Sequence, residues 1–116
     1  MNARLKENKT IEVPQLIVSE INSYSIIFEV DYEGLQTYLN FELQCKEKRS
    51  STPFETKDIS ENLIFYIGNL KQMSEYFFRI RGKINGREVS SWSKEILVRT
   101  IKTHPFSQLL NNPLFL

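Results

Sequence analysis

Large apolar residues occupy every second position in several short runs of this chain. The clearest run spans 24–31, where Tyr24, Ile26, Phe28 and Val30 alternate with other residues, most of them polar. A period of two residues is typical of β-strands that bury one face. The same pattern recurs in three further runs: Phe41, Leu43 and Cys45; Leu63, Phe65 and Ile67; and Tyr76, Phe78 and Ile80.

Shorter runs complete the pattern at both ends: Pro14, Leu16 and Val18 at the start, and Ile96 and Val98 at the end. The Asn85-Gly86 pair tolerates positive φ and predicts a tight hairpin. No helical periodicity is sustained before residue 104. About seven short strands separated by turns predict an all-β fold, a seven-stranded antiparallel sandwich.

The composition fits one ordinary globular domain and excludes two classes of partner. A chain of 116 residues is long enough to bury its own core. Its formal net charge of +1 creates no bulk field that would attract nucleic acid or a membrane surface. No apolar stretch approaches the roughly 20 residues of a membrane-spanning helix. We therefore expect neither nucleic-acid binding nor direct membrane insertion.

Cys45 is the only cysteine, so no disulfide forms within the chain. This favours a reducing compartment. The N-terminus also lacks the apolar run of a signal peptide, which favours a cytoplasmic protein if Met1 is the natural start. The extracellular part of a longer chain stays an alternative. Cys45 shares the parity of Phe41 and Leu43, which predicts a small hydrophobe in the core rather than a redox thiol.

Residue types that carry catalysis are scarce. His104 is the only histidine, and nothing in its spacing suggests a nucleophile and a carboxylate within reach of it. One histidine and one cysteine are too few for a zinc site without carboxylates. The four glycines are scattered and form no phosphate cradle. We expect no enzymatic activity, no catalytic residue, no cofactor and no metal.

Several motifs, taken in order, resemble the fibronectin type III family. The first strand is led by a proline, a leucine precedes the tyrosine of a "tyrosine corner", and an Arg-Thr pair closes the last strand. Phe28 stands where the family has a tryptophan. The remaining matched positions are Pro14, Leu16, Val18, Leu70, Tyr76, Arg99 and Thr100.

The resemblance implies an immunoglobulin-like sandwich over residues 13–102. A flexible lead-in would precede it over 1–12, and an apolar C-terminal tail would follow over 103–116. It also implies that Tyr76 is buried and that its hydroxyl bonds a backbone group near Leu70.

A narrower resemblance is to the membrane-proximal sandwich of class I cytokine receptors, although their paired cysteines are absent. Arg79-Ile80-Arg81 matches their Arg-x-Arg motif, and residues 89–93 match their Trp-Ser-x-Trp-Ser box except for its leading tryptophan. This similarity, together with the parity of Arg79 and Arg81, predicts that Trp92 lies on the outer face of the sheet. The guanidinium of Arg79 or Arg81 would stack on its ring.

If Tyr76, Phe78 and Ile80 point inward, the residues between them point outward, together with residues of the last strand. The candidate site residues in this outward set are Phe77, Arg79, Arg81, Leu97 and Arg99. Lys83 also points outward, and Glu42, Gln44 and Lys46 of the third strand are expected on the same sheet face. Arginine and aromatic residues are favoured at the centre of protein interfaces, so this face is a candidate site for an acidic or amphipathic partner. The alternative is a solvated face on which arginine stems cover Trp92 and long side chains pair with Glu42.

The tail is rich in large apolar residues: Phe106, Leu109, Leu110, Leu114, Phe115 and Leu116. A solvated linker is normally poor in such residues, and Pro105 suits the first position of a helix. A segment this short does not hold a helix in water by itself, so it must dock. We expect it to insert into a groove on a partner or a second copy. The alternative is that it folds back over its own sandwich.

Together these features predict a non-catalytic protein–protein interaction module, a subunit or fragment of a larger assembly. A protein partner would bind through the outward face of the late strands or through the tail, and a second copy of the chain is one such partner. Two alternatives stay open. One is an extracellular adhesion or receptor domain, and the other is a structural spacer between domains.

Overall fold

The computed structural model describes residues 13–32, 40–84 and 89–103. These residues form seven strands, numbered in chain order: β1 (Gln15–Ile21), β2 (Ile26–Asp31), β3 (Asn40–Glu47), β4 (Glu55–Ser60), β5 (Ile64–Ile67), β6 (Glu75–Lys83) and β7 (Ile96–Arg99). No helix capable of spanning a membrane occurs in these three ranges.

The strands form two antiparallel sheets that pack face to face. One sheet has the order β1-β2-β5 and the other has the order β4-β3-β6-β7. Along β6, every second residue from Tyr76 to Gly82 is buried, and the residues between them are half-buried. The predicted seven-stranded antiparallel sandwich is therefore confirmed.

The core lies between the two sheets. Phe28, Phe65 and Phe78 are among its largest fully buried side chains, and burying each contributes about 1.5–3 kcal/mol. The ring centroids of Phe28 and Phe78 are 4.6 Å apart, so the sheets meet at this pair. Phe28 thus fills a core position, as expected for the residue that replaces the second-strand tryptophan. Cys45 is 4% exposed and belongs to the same core, which its strand parity predicts.

Two strand boundaries predicted from the alternation are wrong. Tyr24 lies before β2 and is 52% exposed, and Leu63 lies before β5 and is 53% exposed. The backbone N–H of Asn22 donates to the carbonyl of Ser25 at 2.9 Å and closes the β1–β2 turn around Tyr24. In both cases the alternation begins before the first residue of the strand, so it shows which residues share a face better than where a strand starts.

β4 is a strand that the apolar pattern does not indicate. All its residues but the last are exposed, because β4 is an edge of the four-stranded sheet. Its pairing with β3 shifts register between Leu43 and Gln44, and such a bulge twists an edge away from pairing with other chains. An exposed, bulged edge strand carries little apolar periodicity.

Candidate functional site

The outward face of the four-stranded sheet combines basic and aromatic side chains. Its cross-strand pairs are Arg81–Glu42, Arg79–Gln44, Phe77–Lys46 and Phe77–Leu97. We define the front surface as Lys46, Phe54, Phe77, Arg79, Arg81, Trp92, Leu97 and Arg99. The strict alternation of β6 and β7 thus brings the five late-strand residues singled out in the sequence onto one face.

Trp92 is the centre of a stack of rings and guanidinium groups. The Cζ atoms of Arg79 and Arg81 each lie 4.3 Å from the centroid of its ring. Arg79 Cζ also lies 4.1 Å from the ring centroid of Phe54. The predicted stacking on Trp92 is therefore confirmed, with both arginines taking part. Each such cation–π contact is worth about 0.5–1 kcal/mol at an exposed site.

Hydrogen bonds from β3 hold both guanidinium groups in place. Arg79 donates from Nε and Nη2 to Gln44 Oε1, at 3.0 and 2.7 Å. Arg81 donates from Nε to Glu42 Oε1 at 3.0 Å, and its Nη2 lies 2.9 Å from the same oxygen. Both side chains are therefore fixed at the guanidinium by β3 as well as by the tryptophan ring.

Glu42 is the buried anchor of this network, with a side chain only 8% exposed. Its other oxygen accepts a hydrogen bond from the Thr56 hydroxyl, and Lys83 Nζ lies 3.9 Å from Oε1. Burial by itself raises the pKa of Glu42. The hydrogen bonds from Thr56 and Arg81, with the positive charges of Arg81 and Lys83, outweigh burial and leave the pKa below its ordinary value.

The segment 90–93 places Trp92 over β6. The N–H groups of Ser90 and Ser93 donate to the carbonyls of Gly82 and Ile80, at 2.9 and 2.8 Å. In return, Ser90 Oγ accepts from the Gly82 N–H and Ser93 Oγ from the Ile80 N–H, both at 3.0 Å. The sequence reasoning gave these serines no role. Their signal is a pair of serines three residues apart around an outward tryptophan.

Tyr76 forms the corner that the sequence predicts. Tyr76 is 6% exposed and Leu70 is 5% exposed. The hydroxyl of Tyr76 accepts a hydrogen bond from the backbone N–H of Lys71 at 2.8 Å. This bond ties the loop between β5 and β6 to the start of β6. The predicted tyrosine corner is therefore confirmed.

One part of the front surface does not belong to the stack. Lys46, Phe77 and Leu97 form a row across β3, β6 and β7, and Arg99 lies two residues further along β7. Leu97 is 45% exposed, Arg99 is exposed and Phe77 is half-buried. This row is thus accessible to another molecule.

Sequence reasoning missed Phe54, Thr56 and Ile59, which reach this face because β4 is a strand. The apolar tail residues Phe106, Leu109, Leu110, Leu114, Phe115 and Leu116 lie outside the described residues, as do the lead-in 1–12 and the Asn85-Gly86 turn.

The described part of the chain offers little for covalent or metal chemistry. Burial raises the pKa of the Cys45 thiol to about 12, so it stays protonated at neutral pH and is a poor nucleophile. No group of three or more His, Cys, Asp or Glu side chains suited to a metal occurs within residues 13–32, 40–84 and 89–103.

Comparison with protein-family profiles and with curated proteins finds no match. Solved structures do match. A fibronectin type III domain of the human KIAA0970 protein has a TM-score of 0.70 at 11% identity, and the match covers 86% of this chain and 84% of that domain. The chain has the fibronectin type III fold.

Two further solved structures are similar. The fibronectin type III domain of human fibronectin type III domain containing protein 3 has a TM-score of 0.68 at 16% identity, covering 85% of this chain and 94% of that one. A structure of three titin domains has a TM-score of 0.67 at 15% identity, covering 80% of this chain and 33% of that one. Fibronectin type III domains generally act as protein-interaction or structural modules, and the fold is typically non-catalytic.

Proposed function

We propose that this chain is a non-catalytic protein-interaction module that binds an acidic or amphipathic protein segment through the front surface. The observation that carries the proposal is the fixed stack on Trp92 beside the accessible row of Lys46, Phe77 and Leu97. Two guanidinium groups are held by the ring and by β3, while their side chains stay partly exposed.

Prior fixation of the arginines favours binding. Ordering a long side chain at an interface costs about 0.5–1.5 kcal/mol. The bonds to Gln44 and Glu42 already order the two arginines in the folded chain, so binding loses less of their side-chain entropy. Arginine beside aromatic rings is also the composition enriched at interface centres. Carboxylates are the natural partners of such a surface, because they accept bidentate hydrogen bonds from guanidinium.

The stack by itself also fits the solvated face considered as the alternative, since the arginines cover Trp92 and Arg81 pairs with Glu42. The row of Lys46, Phe77 and Leu97 favours binding over that alternative, because an exposed and a half-buried apolar side chain adjoin the stack there. An apolar side chain such as Leu97 gains nothing from solvent on a sheet face, whereas it adds buried area when a partner covers it.

The tail is a second contact in this proposal. Its six large apolar residues favour docking in a groove of a partner or a second copy. Support for this contact comes from the sequence composition of residues 104–116.

The test is affinity capture with the whole chain as bait, read by mass spectrometry. The double variant Leu97→Glu/Arg99→Glu adds two carboxylates and removes one guanidinium at Leu97 and at its β7 neighbour Arg99, which makes this end of the front surface more negative. Lys71→Glu reverses a charge on the loop after β5 and serves as the control. We expect a captured protein with an acidic segment that is retained by the wild type and the control and lost from the double variant. Binding should weaken as salt is raised. If the captured proteins are the same for all three baits, the front surface is not the binding site.

A further inference from the structure

The opposite side of the sandwich, the outward face of the β1-β2-β5 sheet, is apolar and acidic. We define the back surface as Ile17, Glu20, Ile27, Glu29, Asp31, Ile64 and Tyr66. Its cross-strand rows are Ile17–Glu29–Ile64 and Glu20–Ile27–Tyr66. Each row therefore combines two large apolar side chains with one carboxylate.

The apolar part of the back surface is open to solvent. Ile17 is 48% exposed, Ile64 is 63% exposed and Tyr66 is 65% exposed. Single exposed apolar residues are ordinary. Here the half-buried Ile27 of β2 lies between Tyr66 of β5 and the β1 strand, so the apolar side chains form a contiguous patch, and such patches mark interaction sites. The front surface differs, because its largest ring, Trp92, lies under two arginines.

The two faces carry opposite charge. β1, β2 and β5 contain no lysine or arginine, and their outward charges are all carboxylates. β6 carries Arg79, Arg81 and Lys83 on its outward side, and the front surface adds Lys46 and Arg99. Two carboxylates, Glu75 and Glu42, lie on the same face, so the positive charges outnumber the negative ones. The front surface also has apolar side chains near its charges, the exposed Leu97 and the half-buried Phe77. A surface complementary to the back surface in charge and in apolar content is thus present on the same molecule.

We propose that the back surface of one copy binds the front surface of a second copy. The inference rests on the proposed function in one respect, since it names a partner for the front surface. The contact is heterologous, with different patches on the two copies, so an open assembly of any length keeps one free front surface at one end and one free back surface at the other. Association therefore continues past the dimer into short open chains, and it weakens as salt screens the charges.

Sedimentation velocity of the full chain over a concentration series, at low and high salt, is the first measurement. The back variant Glu29→Ser/Ile64→Ser and the front variant Leu97→Glu/Arg99→Glu each disrupt one half of the contact, and the neutral serines give the altered front no opposite charge to bind. Glu61→Ser, which removes an exposed carboxylate in the β4–β5 loop, is the matched control. Urea unfolding of each variant confirms that it is folded. We expect the wild type and the control to grow in mass with concentration and each variant alone to stay a monomer.

Mixing the two variants is the decisive measurement. The back variant keeps an intact front surface and the front variant keeps an intact back surface, so an equimolar mixture should form 1:1 dimers and nothing larger. A symmetric contact would not be restored by mixing, and association through the tail would survive both variants. Either result overturns the proposal, as does a wild type that stays monomeric up to about 1 mM, the range of a weak contact. A monomeric wild type whose captured partner is lost from the front variant would overturn self-association and leave the proposed function standing.

Discussion

Arg79 and Arg81 are two residues apart and contact the same ring, yet their other partners differ in kind. Arg79 bonds to the neutral amide of Gln44, whereas Arg81 bonds to the nearly buried carboxylate of Glu42. A buried charge that loses its partner costs more than an amide that loses one. The two arginines should therefore differ in their contribution to stability.

We expect Arg79→Ala to lower the free energy of unfolding by about 1–2 kcal/mol and Arg81→Ala to lower it by about 3 kcal/mol. Urea unfolding followed by the fluorescence of Trp92, the only tryptophan, measures both. The double variant Glu42→Gln/Arg81→Ala should recover part of the Arg81 loss, because the stranded charge is gone. Equal losses for the two arginines would contradict the assignment of Glu42 as a buried anchor.

Glu42 should also make stability depend on pH in acid. Its folded pKa lies below its ordinary value near 4.5, so its carboxylate contributes stability that is fully present above that value. The contribution is lost as pH falls through the folded pKa. Urea unfolding from pH 7 to pH 3 should show a smaller loss for Glu42→Gln than for the wild type, and Glu95→Gln, an exposed substitution, should follow the wild type. Parallel curves for Glu42→Gln and the wild type would mean that Glu42 is not held as a carboxylate.

Tyr76→Phe should lower the free energy of unfolding by about 0.5–1.5 kcal/mol. The substitution removes the acceptor of the Lys71 N–H and leaves the packing of the ring against Phe78 unchanged. Tyr66→Phe removes a hydroxyl from an exposed ring and is the control. The urea midpoints of the wild type and the two variants measure this effect. An unchanged midpoint for Tyr76→Phe would show that the hydrogen bond from Lys71 contributes nothing to stability.

At the scale of elements, the segment 90–93 acts as part of the sheet without regular strand geometry. Two serine hydroxyls accept from backbone N–H groups of β6 that a regular partner strand would have satisfied with carbonyls. Buried N–H groups need an acceptor, so these side chains extend the β6 ladder beyond β7 and hold Trp92 outward.

Ser90→Ala and Ser93→Ala should each lower the free energy of unfolding by about 1–3 kcal/mol, because each leaves a buried N–H without an acceptor. Amide hydrogen exchange should rise at Gly82 for the first variant and at Ile80 for the second. Ser91→Ala is the natural control, since Ser91 is exposed in the same segment. A rise in exchange at the one amide shows that its hydrogen bond is lost. A rise along all of β6 would show instead that the whole strand is destabilised.

The edge strand β1 shows what the alternation of apolar residues cannot predict about a strand. Val18 shares the parity of Leu16 and pairs with the buried Phe28, yet it is 37% exposed because β1 has a neighbour on one side only. The alternation predicts the direction of its side chain correctly. How much of that side chain is covered depends on neighbouring strands, which the local pattern does not contain.

At the scale of the whole molecule, the sandwich has a basic front and an acidic back, and its tail is apolar. We predict that deletion of residues 104–116 weakens binding to a captured partner and changes the free energy of unfolding little. Capture and urea unfolding of the truncated and full chains measure the two effects, with Asn111→Ser/Asn112→Ser as a full-length control. A loss of several kcal/mol with unchanged binding would place the tail on its own sandwich, and the partner role of the tail would then be wrong.

The sequence by itself determined which side chains of each strand face inward, because alternation follows from local backbone geometry that needs no partner. Phe28, Cys45 and Phe78 in the core, and Phe77, Arg79 and Arg81 outside, were predictable for this reason, and the Tyr76 corner and the Trp92 stack followed from motif spacing. Only the tertiary structure decided the full order of the strands in each sheet. That choice made β4 a strand, carried Phe54 to Arg79, buried Glu42 beneath Arg81 and left Ile64 and Tyr66 uncovered, since each of these depends on residues far apart in the chain.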